Sequence, residues 1–128
     1  MNVSPQKAPP RARRVLVVDD NRDGADSMAM LLQLHGHEVR VAYDGPEGVK
    51  AALAQAPDVV LCDIGLPGLD GFGVARALRT DPRTARARLI AITGYGSEQT
   101  KRLCREAGFE RHFTKPVDPA ALASLLAA

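Results

Sequence analysis

The chain has 128 residues, 45 % apolar and 25 % charged, with two cysteines, Cys62 and Cys104. That is enough for one domain whose core needs no staple, and two distant cysteines with no CxxC pair argue against a disulfide framework or a zinc site. The formal charge of +2 misleads, because Lys7, Arg11, Arg13 and Arg14 sit in an acid-free start, and without them the remaining bases are fewer than the 15 acids.

That start, MNVSPQKAPPRARR, is Pro-rich and basic. Residues 1–13 read as a disordered tail or linker, and 14–128 as the folded domain. The start has no apolar signal-peptide core and no run in the chain reaches membrane-span length, so a cytoplasmic protein without membrane contact is expected. Four charges in a flexible arm do not make a nucleic-acid surface, so no direct nucleic-acid binding is expected either.

In chain order, RVLVVDD (14–20) is β-branched and apolar before it turns acidic, the pattern of a buried strand. NRDGADSMAMLLQLHGH follows, with Met28, Leu31, Leu32 and Leu34 at helical spacing and Gly36 as a stop. EVRVAY (38–43) alternates as a strand. DGPEGVKAALAQA (44–56) is a helix with Asp44 as N-cap and Val49, Ala52 and Leu53 on one stripe. DVVLCD (58–63) is a second buried strand, closed by Cys62 as a small core residue. DGFGVARALRTDP (70–82) is a helix with Phe72, Ala75 and Leu78 inward. RLIAIT (88–93) is a third buried strand. SEQTKRLCREAG (97–108) is a surface-rich helix with a Ser-x-x-Thr start, on which Cys104 is expected to be half exposed. ERHFTKP (110–116) is a short strand, and DPAALASLLAA (118–128) a last helix with Asp118 as N-cap and Pro119 first.

Strand and helix alternate five times with short connections. That predicts βαβ units and a doubly wound α/β domain, a parallel sheet with helices on both faces. Ligands of such sheets bind beyond the carboxyl ends of the strands. The first strand ends in Asp19 and Asp20, the third in Asp63, the fourth in Thr93 and the fifth in Lys115. Parallel strands bring all five to one edge. Three carboxylates together repel one another, and a hard cation such as Mg²⁺, which takes carboxylates, waters and phosphate oxygens, resolves the repulsion. Lys115 and Thr93 suit phosphoryl oxygens. Aspartate can act as a nucleophile toward phosphorus, so Asp63 is the candidate for phosphorylation, with the loop IGLPGLDG leaving room for metal and donor. Singly, Asp19 or Asp20 would more often be a helix cap, Thr93 an ordinary strand residue and Lys115 a surface lysine.

The motifs VLVVDDN, VVLCDIGLPGLDG, LIAITGYG and FTKPVD stand in order over 14–128. Together they resemble the receiver domain of two-component response regulators, including receivers fused to hybrid histidine kinases. The resemblance implies a flavodoxin-like three-layer sandwich with strand order 2-1-3-4-5. It implies phosphoryl transfer from a histidine of a sensor kinase or phosphotransfer protein onto Asp63. Asp20 and Asp63 would contact Mg²⁺ directly, Asp19 through water, and the backbone carbonyl of Gly65 would be a further ligand. Thr93 would bind a phosphoryl oxygen and swing inward, Lys115 would pair with the phosphoryl charge, and the bond before Pro116 would be cis. Donor specificity would lie near Arg22, Asp23, Asp26 and Pro116.

Two positions depart from the pattern. His112 stands where the family usually has a switch aromatic. Phe113, its neighbour, should face the other side of the sheet. In the family the positions of Tyr95 and Gly65 flank the phosphate. Gly65 has no side chain to hold a water and Tyr95 could shield the phosphate, so slow phosphate loss is expected. Phosphorylation would shift the face of the 97–108 helix and the 110–116 strand, with Tyr95, Arg102, Arg105, His112 and Phe113, where an output partner or a second copy would dock, extending to the last helix. The chain would catalyse only its own phosphorylation and dephosphorylation and is otherwise no enzyme. Two rival readings are a pseudo-receiver that binds without phosphate and a Mg²⁺-dependent aspartyl phosphohydrolase; VVDDN lacks the Asp-x-Asp of the latter. With no output domain after 128, a stand-alone regulator and a receiver cut from a larger kinase both fit.

Overall fold

The computed structural model describes residues 12–94 and 96–127. The β-branched runs form five strands: β1 (Arg14–Val18), β2 (Glu38–Ala42), β3 (Val59–Asp63), β4 (Arg88–Thr93) and β5 (Arg111–Thr114). Between and after them lie α1 (Arg22–Leu34), α2 (Gly45–Gln55), α3 (Gly71–Thr80), α4 (Glu98–Ala107) and α5 (Pro119–Ala127). All pairings are parallel and the strand order is β2-β1-β3-β4-β5, as the resemblance implied. Acidic and polar strand ends fall just where the sheet stops: Asp19 and Asp20 follow β1, and Lys115 follows β5.

The period of two along each strand divides the core into two layers. Leu16, Val18, Val60, Cys62, Leu89 and Ala91 face α2, α3 and α4, meeting Ala52, Val74, Leu78, Ala107 and Phe109. Val15, Val17, Val59, Leu61, Ile90 and Ile92 face α1 and α5, meeting Ala25, Leu32, Leu122 and Leu126. Helix starts are fixed by side-chain caps: Asn21, Asp44, Asp70 and Ser97 each accept a backbone N–H three residues on. Asp118 accepts from Ala120 N at 3.0 Å.

Several expectations shift. Leu34 is not on the buried face; it is 85 % exposed, because α1 buries Ala25, Ala29 and Leu32 instead. The inner face of α2 carries Gly45 and Gly48 beside the expected Ala52, with Val49 partly buried against the core and Leu53 half-buried. A Cβ on Gly48 would lie 2.9 Å from both methyls of Val18, so α2 approaches β1 more closely than any side chain allows. Cys104 is 2 % exposed, not half exposed. Burial pushes the Cys104 and Cys62 thiols up, the behaviour of inert core sulfur. Arg13 is tied to the domain: its N–H donates to His37 Nδ1 (3.1 Å) and its Nε to the Leu126 carbonyl (3.1 Å).

The Arg13–His37 bond has a pH consequence. Nδ1 can accept only while the imidazole is neutral, and burial first, then His35 and Arg13, holds the His37 pKa below its usual value. A depressed basic pKa means the unfolded chain takes up the proton first, so this contribution is present above about pH 6.5 and is lost as pH falls below it. We expect thermal stability to drop between pH 7.5 and 5.5 by more in the wild type than in His37→Asn, measured by melting curves in matched salt. Equal slopes would remove His37 from the account.

Candidate functional site

The carboxyl ends of β1 and β3 flank the point where strand order reverses, so the site forms in the crevice between them. Asp19 continues the sheet through its N–H to the Ala42 carbonyl (3.0 Å), and its Oδ1 accepts the Asn21 N–H at 3.0 Å. Asn21, not Asp19 or Asp20, caps α1, its Oδ1 accepting from Gly24 N at 3.1 Å. The two aspartates are therefore not used as helix caps. Asp63 closes β3, its Oδ1 accepting from Gly65 N at 2.9 Å. Asp19 and Asp63 are each only 9 % exposed, whereas Asp20 faces solvent.

The loop after Asp63 turns back at once. Gly71 N donates to the Ile64 carbonyl (3.2 Å), and a Cβ on Gly71 would lie 2.4 Å from Ile64 Cα and 2.6 Å from the Asp63 carbonyl oxygen. Asp70 then starts α3 by accepting from Gly73 N at 2.9 Å. We expect Gly71→Ala to displace this loop and cost about 3 kcal/mol, within the range of overpacked sites. Urea unfolding would measure it, and a loss below about 0.5 kcal/mol, the scale of a neutral surface change, would show that the backbone yields instead.

Lys115 reaches across from β5. Its N–H donates to the Thr93 carbonyl (2.7 Å), which places its Nζ 3.1 Å from Asp63 Oδ2 and 3.3 Å from Asp19 Oδ2. The peptide bond to Pro116 is cis. One cation thus serves two buried acids. Burial pushes the Asp19 carboxyl up, against the pull of the Asn21 amide and Lys115. Burial pulls the Lys115 ammonium down, and the pairing with Asp63 and Asp19 outweighs it, so the group stays charged with its pKa above the usual value.

Carboxylate oxygens of Asp19, Asp20 and Asp63 all lie within 4.8 Å of one another. Three hard anionic oxygens, one of them open to water, fit an oxygen-seeking divalent cation and not a soft metal. Thr93 ends β4 beside β5, 1 % exposed. His112 pairs with Ala91, hence shares the sheet face of Thr93 two residues on, and borders Cys104 and Arg105 of α4. Phe113 pairs with Ile92 and packs in the α1–α5 layer, so it cannot substitute for His112, and it is not part of the α4–β5 face. Tyr95 lies outside the described residues.

One feature escaped sequence reasoning. Tyr43, just past β2, donates to Asp26 Oδ1 at 2.6 Å, and the Arg22 guanidinium stands 4.0 Å over its ring. Two residues expected to read the donor are thus tied to Tyr43, which fixes the first turns of α1 beside Asp20. No spacing rule links positions 22, 26 and 43.

A doubly wound domain whose strand ends gather three carboxylates and a lysine at the switch point has the architecture of a phosphoacceptor module. The family model of the response regulator receiver domain matches residues 15–127, and the chain belongs to that family. Protein PilH of Pseudomonas aeruginosa is 39 % identical over 105 residues, covering 82 % of this chain and 87 % of PilH. The chain spans only 44 % of the transcriptional regulator RpaA of Synechocystis and 23 % of the response regulator PleD of Caulobacter vibrioides, each 35 % identical. Among solved structures, chemotaxis protein CheY4 of Vibrio cholerae superposes with a TM-score of 0.85 at 28 % identity, covering 91 % of this chain and 97 % of CheY4. The receiver domain of sensor histidine kinase PA1611 from P. aeruginosa, with magnesium in its active-site cleft, gives 0.83 at 29 %, covering 91 % and 95 %. Among the described residues no helix is long and apolar enough to cross a membrane.

Proposed function

We propose that this domain takes a phosphoryl group from a phosphohistidine of a sensor kinase or phosphotransfer protein onto Asp63. The observation that carries this is the convergence of Asp19, Asp20, Asp63 and Lys115 at the switch point, with Lys115 Nζ bridging Asp63 and Asp19. The three carboxylates would hold Mg²⁺, as the magnesium-loaded PA1611 receiver supports, with the Gly65 carbonyl as a further ligand; bound there, the ion would neutralise the phosphoryl oxygens.

The chain's own groups account for the rest. The Gly65 N–H orients the Asp63 carboxylate through Oδ1, leaving Oδ2 toward Lys115 for attack on phosphorus. Lys115, held charged, offsets the incoming negative charge. The Thr93 hydroxyl is the candidate donor to a phosphoryl oxygen, and its movement would be felt on its own sheet face, where His112 and α4 stand. An output partner or second copy would read that face, with Arg102 and Arg105 at its surface. The domain acts on itself rather than on a separate substrate, in the cytoplasm, and Tyr95 with Gly65 would slow phosphate loss.

The test is intact-mass spectrometry after incubation with acetyl phosphate, with and without Mg²⁺, followed by peptide mapping. One Mg²⁺-dependent adduct on the 59–71 segment is expected. If neither acetyl phosphate nor beryllofluoride binds in Mg²⁺, the pseudo-receiver reading replaces this one.

A further inference from the structure

A solvent-open cleft of about 520 Å³ lies beside the first turns of α1, next to the acid cluster. Its floor is Val17, Leu61 and Ile92, the ends of three core strands, and Met28, Leu31 and Val117 form apolar walls. The α1 wall is completed by Gly24 and Ser27. A space of this size, apolar with a few polar groups at one end, has the dimensions and lining of a small-molecule site.

The polar end sets the chemistry of the occupant. Asp19, Asp63 and Lys115 line it, and the single ammonium is already shared between the two carboxylates. Two acids against one base leave surplus negative charge, which an organic cation complements and an organic anion does not. We propose that the cleft binds a small organic cation, its apolar body on Val17, Leu61 and Ile92 and its ammonium at Asp19 and Asp63. This rests on the metal reading of those acids in one respect: head group and Mg²⁺ would compete for the same oxygens, so each weakens the other by the same factor. A ligand of this class would suppress phosphoryl transfer by holding the site free of metal.

The test uses the full chain and three probes of one shape: 4-phenylbutylamine, 4-phenylbutanol and 4-phenylbutyrate. Methyl NMR in Mg²⁺-free buffer follows the shifts of Val17, Leu61 and Ile92. The amine is expected to bind about tenfold more tightly than the butyrate, with the alcohol between, and to be displaced by Mg²⁺. Ser27→Phe and Val117→Phe, which fill the cleft from opposite walls, should each remove amine binding while leaving Mg²⁺ affinity within about twofold. Equal affinity for the three heads, shifts elsewhere on the surface, amine binding that survives in a folded plug variant, or no binding at all would overturn the proposal. Mg²⁺ titrated alone separates the two readings. Mg²⁺ binding without amine binding removes only the cleft proposal, and amine binding without Mg²⁺ binding removes the metal reading.

Discussion

Asp63→Asn is expected to abolish the phosphoryl adduct, whereas Lys115→Ala is expected to reduce it and yet bind Mg²⁺ at least as tightly as the wild type. The opposite signs follow from the geometry. An amide in place of the Asp63 carboxylate removes the nucleophile and one of three anionic donors, so Mg²⁺ affinity should fall about tenfold. Lys115 Nζ, at 3.1 and 3.3 Å from two of the same carboxylates, is a built-in competitor for a metal ion. Removing it frees both acids from their shared ammonium, and on the proposed function it would also take away the charge that meets the phosphoryl group, which should slow adduct formation about a hundredfold. Mg²⁺ titration and timed mass spectra on both variants separate the two roles. Weaker Mg²⁺ binding by Lys115→Ala would show that the lysine organises the acid cluster rather than competing with the metal.

Arg79→Ala is expected to cost about 3 kcal/mol of stability, a fall of about 10 °C in Tm for a domain of this size. The Arg79 guanidinium donates Nε and Nη2 to the Gly108 carbonyl (3.1 and 2.7 Å) and Nη1 to the carbonyls of Ala85 and Ala87 (2.8 and 2.6 Å). It ties α3 to the end of α4 and to the turn before β4. Truncation leaves three carbonyls without this partner, and water enters at the cost of packing. Arg79→Lys should recover less than half, because one ammonium cannot reproduce a planar fork aimed at three acceptors. A loss under about 1 kcal/mol in urea unfolding, the scale of one ordinary hydrogen bond, would mean the carbonyls find equivalent solvent partners.

Much of this is legible in the sequence. β1, β3 and β4 appear as apolar runs and β2 as an alternating one, the helices show a period near 3.6 with Asp44, Ser97 and Asp118 readable as starts, and the register of His112 against Phe113 follows from alternation alone. Leu34 faces solvent despite its helical spacing, because a helix pressed against a sheet buries small residues where the backbones come closest. That is why α1 turns Ala25 and Ala29 inward and α2 turns Gly45 and Gly48 inward. Cys104 is buried for a different reason: the polar composition of α4 hides one narrow apolar stripe, Cys104 and Ala107.

Alternation of strand and helix forces every strand end to the same side, so the five parallel strands and the meeting of Asp19, Asp20, Asp63, Thr93 and Lys115 at one edge follow from the chain order of the elements. Three-dimensional packing adds that Asn21 rather than an aspartate caps α1, that Lys115 is shared between two carboxylates, that Arg79 and Tyr43 fasten distant elements, and that a cleft opens beside α1. Those features depend on distances of a few ångströms between residues tens of positions apart, which local periodicity does not encode and side-chain packing does.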